Sequence, residues 1–167
     1  EQLYFEDLLG EDQLALGMRG ERASVLAEER RAGAAPLVAR EIYGGFVYAK
    51  GSWLLHMLRG LLGEEAFLRA TREYVRKYSF RVADTQEFQR AVEDATGHQL
   101  GWFFRQWAFT GGHPVLTVEQ SWDADAGVLA LEIEQRNSAD SSAAPFRVPL
   151  PVVIVSDARD TTITVWV

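Results

Sequence analysis

At Pro114 the spacing of apolar side chains along this 167-residue chain changes from one every three or four residues to one every second residue. No single element satisfies both periods. A spacing near 3.6 belongs to a helix with one buried stripe, and a spacing of 2 to a strand with one buried face. The chain must therefore build helices first and an antiparallel β module second, an α+β organisation with domains at 1–113 and 114–167.

Within the first part, "EDQLALGMRGERASVLAEERR" has helical propensity but carries Gly17 and Gly20, which weaken it. "AGAAPLVAREIYGG" reads as a connection broken by Pro36 and the Gly44-Gly45 pair. Between Ser52 and Leu62 apolar side chains point in nearly every direction, from Trp53, Leu54 and Leu55 to Leu61 and Leu62. Such a helix is expected to be buried all round. Gly63 ends it, and the next helix lines up Phe67, Thr71, Tyr74 and Tyr78, with acidic residues first and basic ones last, as the macrodipole favours. Asp84 and Glu87 have capping-box spacing ahead of Phe88, Val92 and Ala95, with Gly97 as the stop. Leu100, Phe103, Phe104 and Trp107 then share one face, and "TGGHP" closes the helical part.

Four alternating runs follow, "VLTVEQSW", "VLALEIEQ", "FRVPLPVVIV" and "TITVWV", joined by "DADAG", "NSADSSAAP" and "SDARD". They predict hairpin-connected strands forming part of a sandwich. Pro149 and Pro151 assign the third strand to an edge or a bulge.

Charge and composition exclude several classes. The net charge is −7 and neither part has a basic excess, so nucleic acid is not an expected partner. No apolar run approaches the roughly 18 residues of a membrane span. Without cysteine there is neither a disulfide nor a thiolate metal site. The compartment is not readable from this; a soluble protein, cytoplasmic rather than exported, is the working expectation.

Local motifs are weak. "GGFVYAKGS" has the composition of a phosphate loop, but Gly51 separates Lys50 from Ser52 and no strand precedes it. His56, His98 and His113 form no H-E-x-x-H pattern. His56 is expected in the core, and His98 and His113 at helix ends. Ser52 lacks the strand–turn–helix elbow of a nucleophile. Tyr48 has two readings. Its ring is packed with the hydroxyl bonded to backbone, or the phenol stands at the edge of a cleft as a donor to developing negative charge. Residue chemistry leaves both open.

A larger pattern singles it out. "VYAKGSWLLHMLRGLLGEEAFLRATREYVRKY" and "ADTQEFQRAVEDATGHQLGWFFRQWAFTGGHPVL" resemble the aminopeptidase N family of zinc exopeptidases, the gluzincin metallopeptidases. The ordered features are a Tyr-x-Lys-Gly motif, an apolar helix, a Leu-Gly-x-x-x-Phe step, a Phe-Phe-x-x-Trp segment and Gly-x-Pro, over residues 47 to 116. The resemblance implies the helical C-terminal half of a thermolysin-like catalytic domain, followed by the start of a β-sandwich. It implies zinc held by H-E-x-x-H and a later glutamate, a peptide substrate gripped at its amino terminus, and a catalytic role for Tyr48 as donor to the tetrahedral oxyanion.

Two departures accompany it. Ala49 stands where the family motif has glutamate, and the zinc motif is not in this sequence. The chain is therefore expected to be a stretch of a larger enzyme, cut just past the third zinc ligand, with zinc bound only in the intact protein and no activity of its own. Glu1 and Glu6 are expected to be solvated carboxylates on a continuing helix. The alternative is a scaffold derived from the same fold without catalytic metal.

Overall fold

A computed structural model of the chain describes residues 2–39, 43–155 and 159–167, with the side chain of Gln2 excepted. It divides into two compact units, 1–111 and 112–167.

The first unit is helical. α1 (Gln2–Leu9) and α2 (Glu11–Ala32) are separated at Gly10, whose φ of 89° lies in the region that favours glycine. The expected continuous helix is thus broken there, whereas Gly17 and Gly20 are carried inside α2 without interruption. A short 3₁₀ turn (Leu37–Ala39) leads towards α3 (Gly45–Leu62), which is followed by α4 (Glu64–Tyr78), α5 (Thr85–Thr96) and α6 (Gly101–Trp107).

The core gathers Leu54 and Leu58 of α3, Phe67 and Ala70 of α4, Val92 of α5, and Leu100, Phe103, Phe104 and Ala108 around α6. Aromatic edges tie it together: Tyr74 to Phe88 at 4.9 Å between ring centres, Phe88 to Phe104 at 5.9 Å, Phe103 to Phe104 at 5.6 Å, all close to perpendicular. Such pairs add about 0.5–1.5 kcal/mol each beyond the area they bury. The capping box forms as spaced. The Glu87 amide donates to the Asp84 carboxylate at 2.8 Å, and the Asp84 amide donates to Glu87 at 2.9 Å. Gly97 closes α5 in the left-handed conformation. Beyond it, the Glu93 carboxylate accepts from the Leu100 amide at 2.7 Å, linking α5 to the start of α6.

In the second unit β1 (Pro114–Asp123) pairs antiparallel with β2 (Val128–Asn137), and β3 (Pro149–Ile154) with β4 (Thr161–Trp166). The strands form two separate two-stranded ladders rather than one continuous sheet. Alternation sorts Leu116, Val118 and Trp122 to one face of the first ladder with Leu129, Leu131 and Ile133. Backbone hydrogen bonds between Val148 and Val167 in both directions fix the phase of β3. With a period of 2, positions 149 and 151 then face away from β4, so the two prolines remove donors from the outer edge only. At the unit's start Gly112 has φ 85°, and a Cβ there would lie 2.2 Å from Asn137 Oδ1, so no side chain fits.

Candidate functional site

Tyr48 lies in the first turn of α3, not in a loop. Gly44 is the residue before the helix and Gly45 already belongs to it. The glycine pair looks like a breaker in sequence, but Phe46, Ala49 and Lys50 are buried, and this tertiary packing extends the helix back to them. The residues at i+3, i+4, i+7, i+8 and i+11 from Tyr48 are Gly51, Ser52, Leu55, His56 and Arg59, and with Tyr48 they form one stripe of α3. That stripe is the wall of a concavity of about 390 Å³, which Leu14, Met18 and Glu21 of α2 close from the other side.

The Tyr48 side chain is open. The residue is 64% exposed, and its hydroxyl forms no hydrogen bond among the described residues. Small neighbours keep it so: a Cβ placed on Gly51 would meet nothing within 4 Å. This geometry corrects the expectation that α3 is buried all round. Leu55 is exposed and Trp53 half-buried, whereas Leu54 and Leu58 lie in the core with Met57, Leu61 and Leu62 packed against it.

The wall is anchored by polar contacts that sequence spacing could not reveal. Arg59 makes a bidentate ion pair with Glu6 of α1, at 2.6 and 3.1 Å, and also pairs with Glu64 at the start of α4. Glu6 is therefore not a solvated carboxylate; its side chain is 18% exposed. Hydrogen bonding from Glu6 foremost, then from Glu64, raises the Arg59 pKa against the opposing pull of burial. Glu1 lies outside the described residues. His56 is not a core histidine. It sits half-buried on the wall, edge-on to Trp53 at 5.4 Å. Burial, reinforced by the Arg59 charge and opposed by Glu6, holds its pKa below the ordinary imidazole value, so it is neutral at pH 7. Trp53 in turn donates from Nε1 to the Met18 carbonyl at 2.9 Å, fastening α3 to α2.

Lys50 and Glu29 form a second internal ion pair. Nζ stands 3.5 Å from Oε1, with side chains 8% and 5% exposed, and 5.3 Å from the Phe46 ring centre. Lys50 is thus committed to the protein interior, which agrees with its rejection as a phosphate ligand. Ala49 is 2% exposed, so the position that carries glutamate in the family motif lies inside the protein here. His98 is exposed, its Nδ1 3.2 Å from the Thr96 carbonyl oxygen, while His113 is half-buried with Nδ1 3.0 Å from Ser138 Oγ.

Among the described residues no three His, Asp or Glu side chains come close enough to hold an ion. His56, the histidine on the wall, stands beside an indole and a guanidinium, and the Glu6 carboxylate near it is already paired with Arg59. The residues present do not fit zinc. Nor is any helix among the described residues long and apolar enough to cross a membrane.

Comparison with known proteins defines the class. Residues 32–107 match the Peptidase family M1 domain. Aminopeptidase N of Escherichia coli (strain K12) is 31% identical over 109 residues, covering 64% of this chain and 12% of that protein. Glutamyl aminopeptidase of Sus scrofa is 28% identical over 131 residues, covering 78% of this chain and 14% of that protein. The crystal structure of Legionella pneumophila aminopeptidase A in complex with aspartic acid matches with a TM-score of 0.56 over 74% of this chain and 14% of that one. At 18% identity this last likeness is one of α+β fold. Over this stretch the chain is similar to the M1 aminopeptidases, and it spans 12–14% of the length of these curated relatives.

Proposed function

We propose that this chain contributes one wall of the active site of a zinc-dependent aminopeptidase, and that Tyr48 is its catalytic residue. Hydrolysis of the first peptide bond places negative charge on the scissile carbonyl oxygen as water adds to the carbon. A phenol is protonated at neutral pH and donates a hydrogen bond to that oxygen. The donor is most useful when it is fixed before the charge appears, because no reorganisation is then needed during reaction. The observation that carries this reading is the open Tyr48 hydroxyl on the first turn of α3 beside a concavity, within the stretch matched to the peptidase domain.

The donor set is absent from the described residues, so no step is assigned to zinc on this chain. In this reading the metal and the groups that grip the peptide amino terminus come from outside the 167 residues, and the chain alone neither binds zinc nor cleaves peptides. The second reading is a non-catalytic scaffold that keeps the fold without catalytic metal, with which the same residues are compatible. Metal content and aminoacyl-anilide hydrolysis of the intact polypeptide separate the two. About one zinc per chain together with turnover supports the enzyme; a well-folded, metal-free protein without turnover establishes the scaffold.

A further inference from the structure

We propose that the buried Lys50–Glu29 ion pair is a positioning device for Tyr48, setting the rotation of the first turn of α3 so that the phenol faces the concavity. The inference rests on the catalytic reading of Tyr48 and adds to it the residues that aim the hydroxyl.

Helix geometry makes the connection. Lys50 lies two positions after Tyr48, and at 100° per residue the two side chains leave α3 on nearly opposite sides. Whatever pins Lys50 inward turns Tyr48 outward. The pin is directional. Apolar packing at Phe46 and Ala49 tolerates small rotations, because dispersion is spread over many weak contacts. A buried ammonium held against a carboxylate at 3.5 Å does not, because moving off its partner leaves both charges poorly solvated. The turn needs such a device, since Gly44 offers no side-chain cap and two glycines open the segment. Glu29 is well placed to serve, in the last turns of the 22-residue α2, which also holds α3 through Met18 and Trp53.

A purely structural pair would account for the burial equally well, so the test must separate aim from stability. Replacing a buried ion pair by apolar side chains of similar size tends to leave stability unchanged or raise it. The double exchange Glu29→Leu/Lys50→Met, made in the intact enzyme, should therefore keep the melting temperature. Its kcat is expected to fall roughly 10- to 100-fold, the scale of a small misplacement of a reacting group, while KM stays within about twofold. The decisive arm repeats the exchange in a Tyr48→Phe background. If the pair acts through the phenol, no further loss of kcat follows once the hydroxyl is gone. Should the apolar exchange prevent folding, Glu29→Gln/Lys50→Gln, which retains a hydrogen-bonding pair without charge, is read by the same criterion.

An exchange that leaves kcat intact overturns the inference, as does a loss of the same size in both backgrounds. Either result leaves the catalytic role of Tyr48 standing, provided Tyr48→Phe alone lowers kcat. If Tyr48→Phe alone changes nothing, the catalytic reading fails and this one with it.

Discussion

In the helical unit Leu58, Phe104 and Ala108 are fully enclosed, whereas in the β unit Val118, Trp122 and Leu129 stay open on the apolar face of the first ladder. Both units sort polar from apolar side chains correctly for their period. They differ in what receives the apolar side. Helices α3 to α6 supply one another with partners within about sixty residues of chain, so their core closes on itself. Two two-stranded ladders bury one face poorly, because a twisted ribbon that narrow has little area to offer. The difference explains why the concavity beside Tyr48 sits where it does: α3 is gripped from behind by a closed core and can leave its front stripe partly open.

Truncation at the centre of the helical core should have the largest effect on stability. Phe104→Ala removes a fully buried ring that touches both Phe88 and Phe103, with an expected cost of about 3–5 kcal/mol. Urea unfolding followed by helical circular dichroism measures it; a cost below about 1 kcal/mol would erase the contrast between the units. Next comes Arg59→Met, which strands the Glu6 carboxylate in a place only 18% exposed. A cost of about 1–3 kcal/mol is expected, less than for a fully buried pair because water still reaches both partners. The same unfolding experiment, with amide exchange in α1 as a local readout, checks it. Smallest is Trp122→Thr, at 63% exposure on the open face of β1. Threonine keeps strand propensity, and the change should stay within about 1 kcal/mol. A large loss there would mean that the face is covered in solution.

Much of this fold could be read from the order of residues. The period switch at Pro114, the capping box at Asp84 and Glu87, the Gly97 stop and the Phe103–Trp107 face are local signals, and local signals survive without coordinates. What escaped reading was long-range. Arg59 and Glu6 are 53 positions apart, and nothing in either neighbourhood announces the other. Lys50 and Glu29 are likewise far apart in sequence, and no local pattern pairs them. The extension of α3 through Gly45 depends on what Phe46 and Ala49 pack against, so the apolar pattern alone gave the helix only from Ser52 on. His56 was expected in the core because its neighbours are apolar, yet periodicity cannot tell which side of an apolar helix lacks a partner. Tyr48 itself was singled out by the ordered motif around it, while the openness of its hydroxyl is a structural finding.

The most direct measurement is Tyr48→Phe in the intact enzyme, with turnover, melting temperature and zinc content read on the same sample. The change deletes one oxygen from a side chain with no bonded partner among the described residues, so folding and metal content should not move. Turnover should fall by about 10²–10³, the usual cost of a lost oxyanion donor. Turnover close to that of the parent, at unchanged melting temperature and zinc, would contradict the assignment.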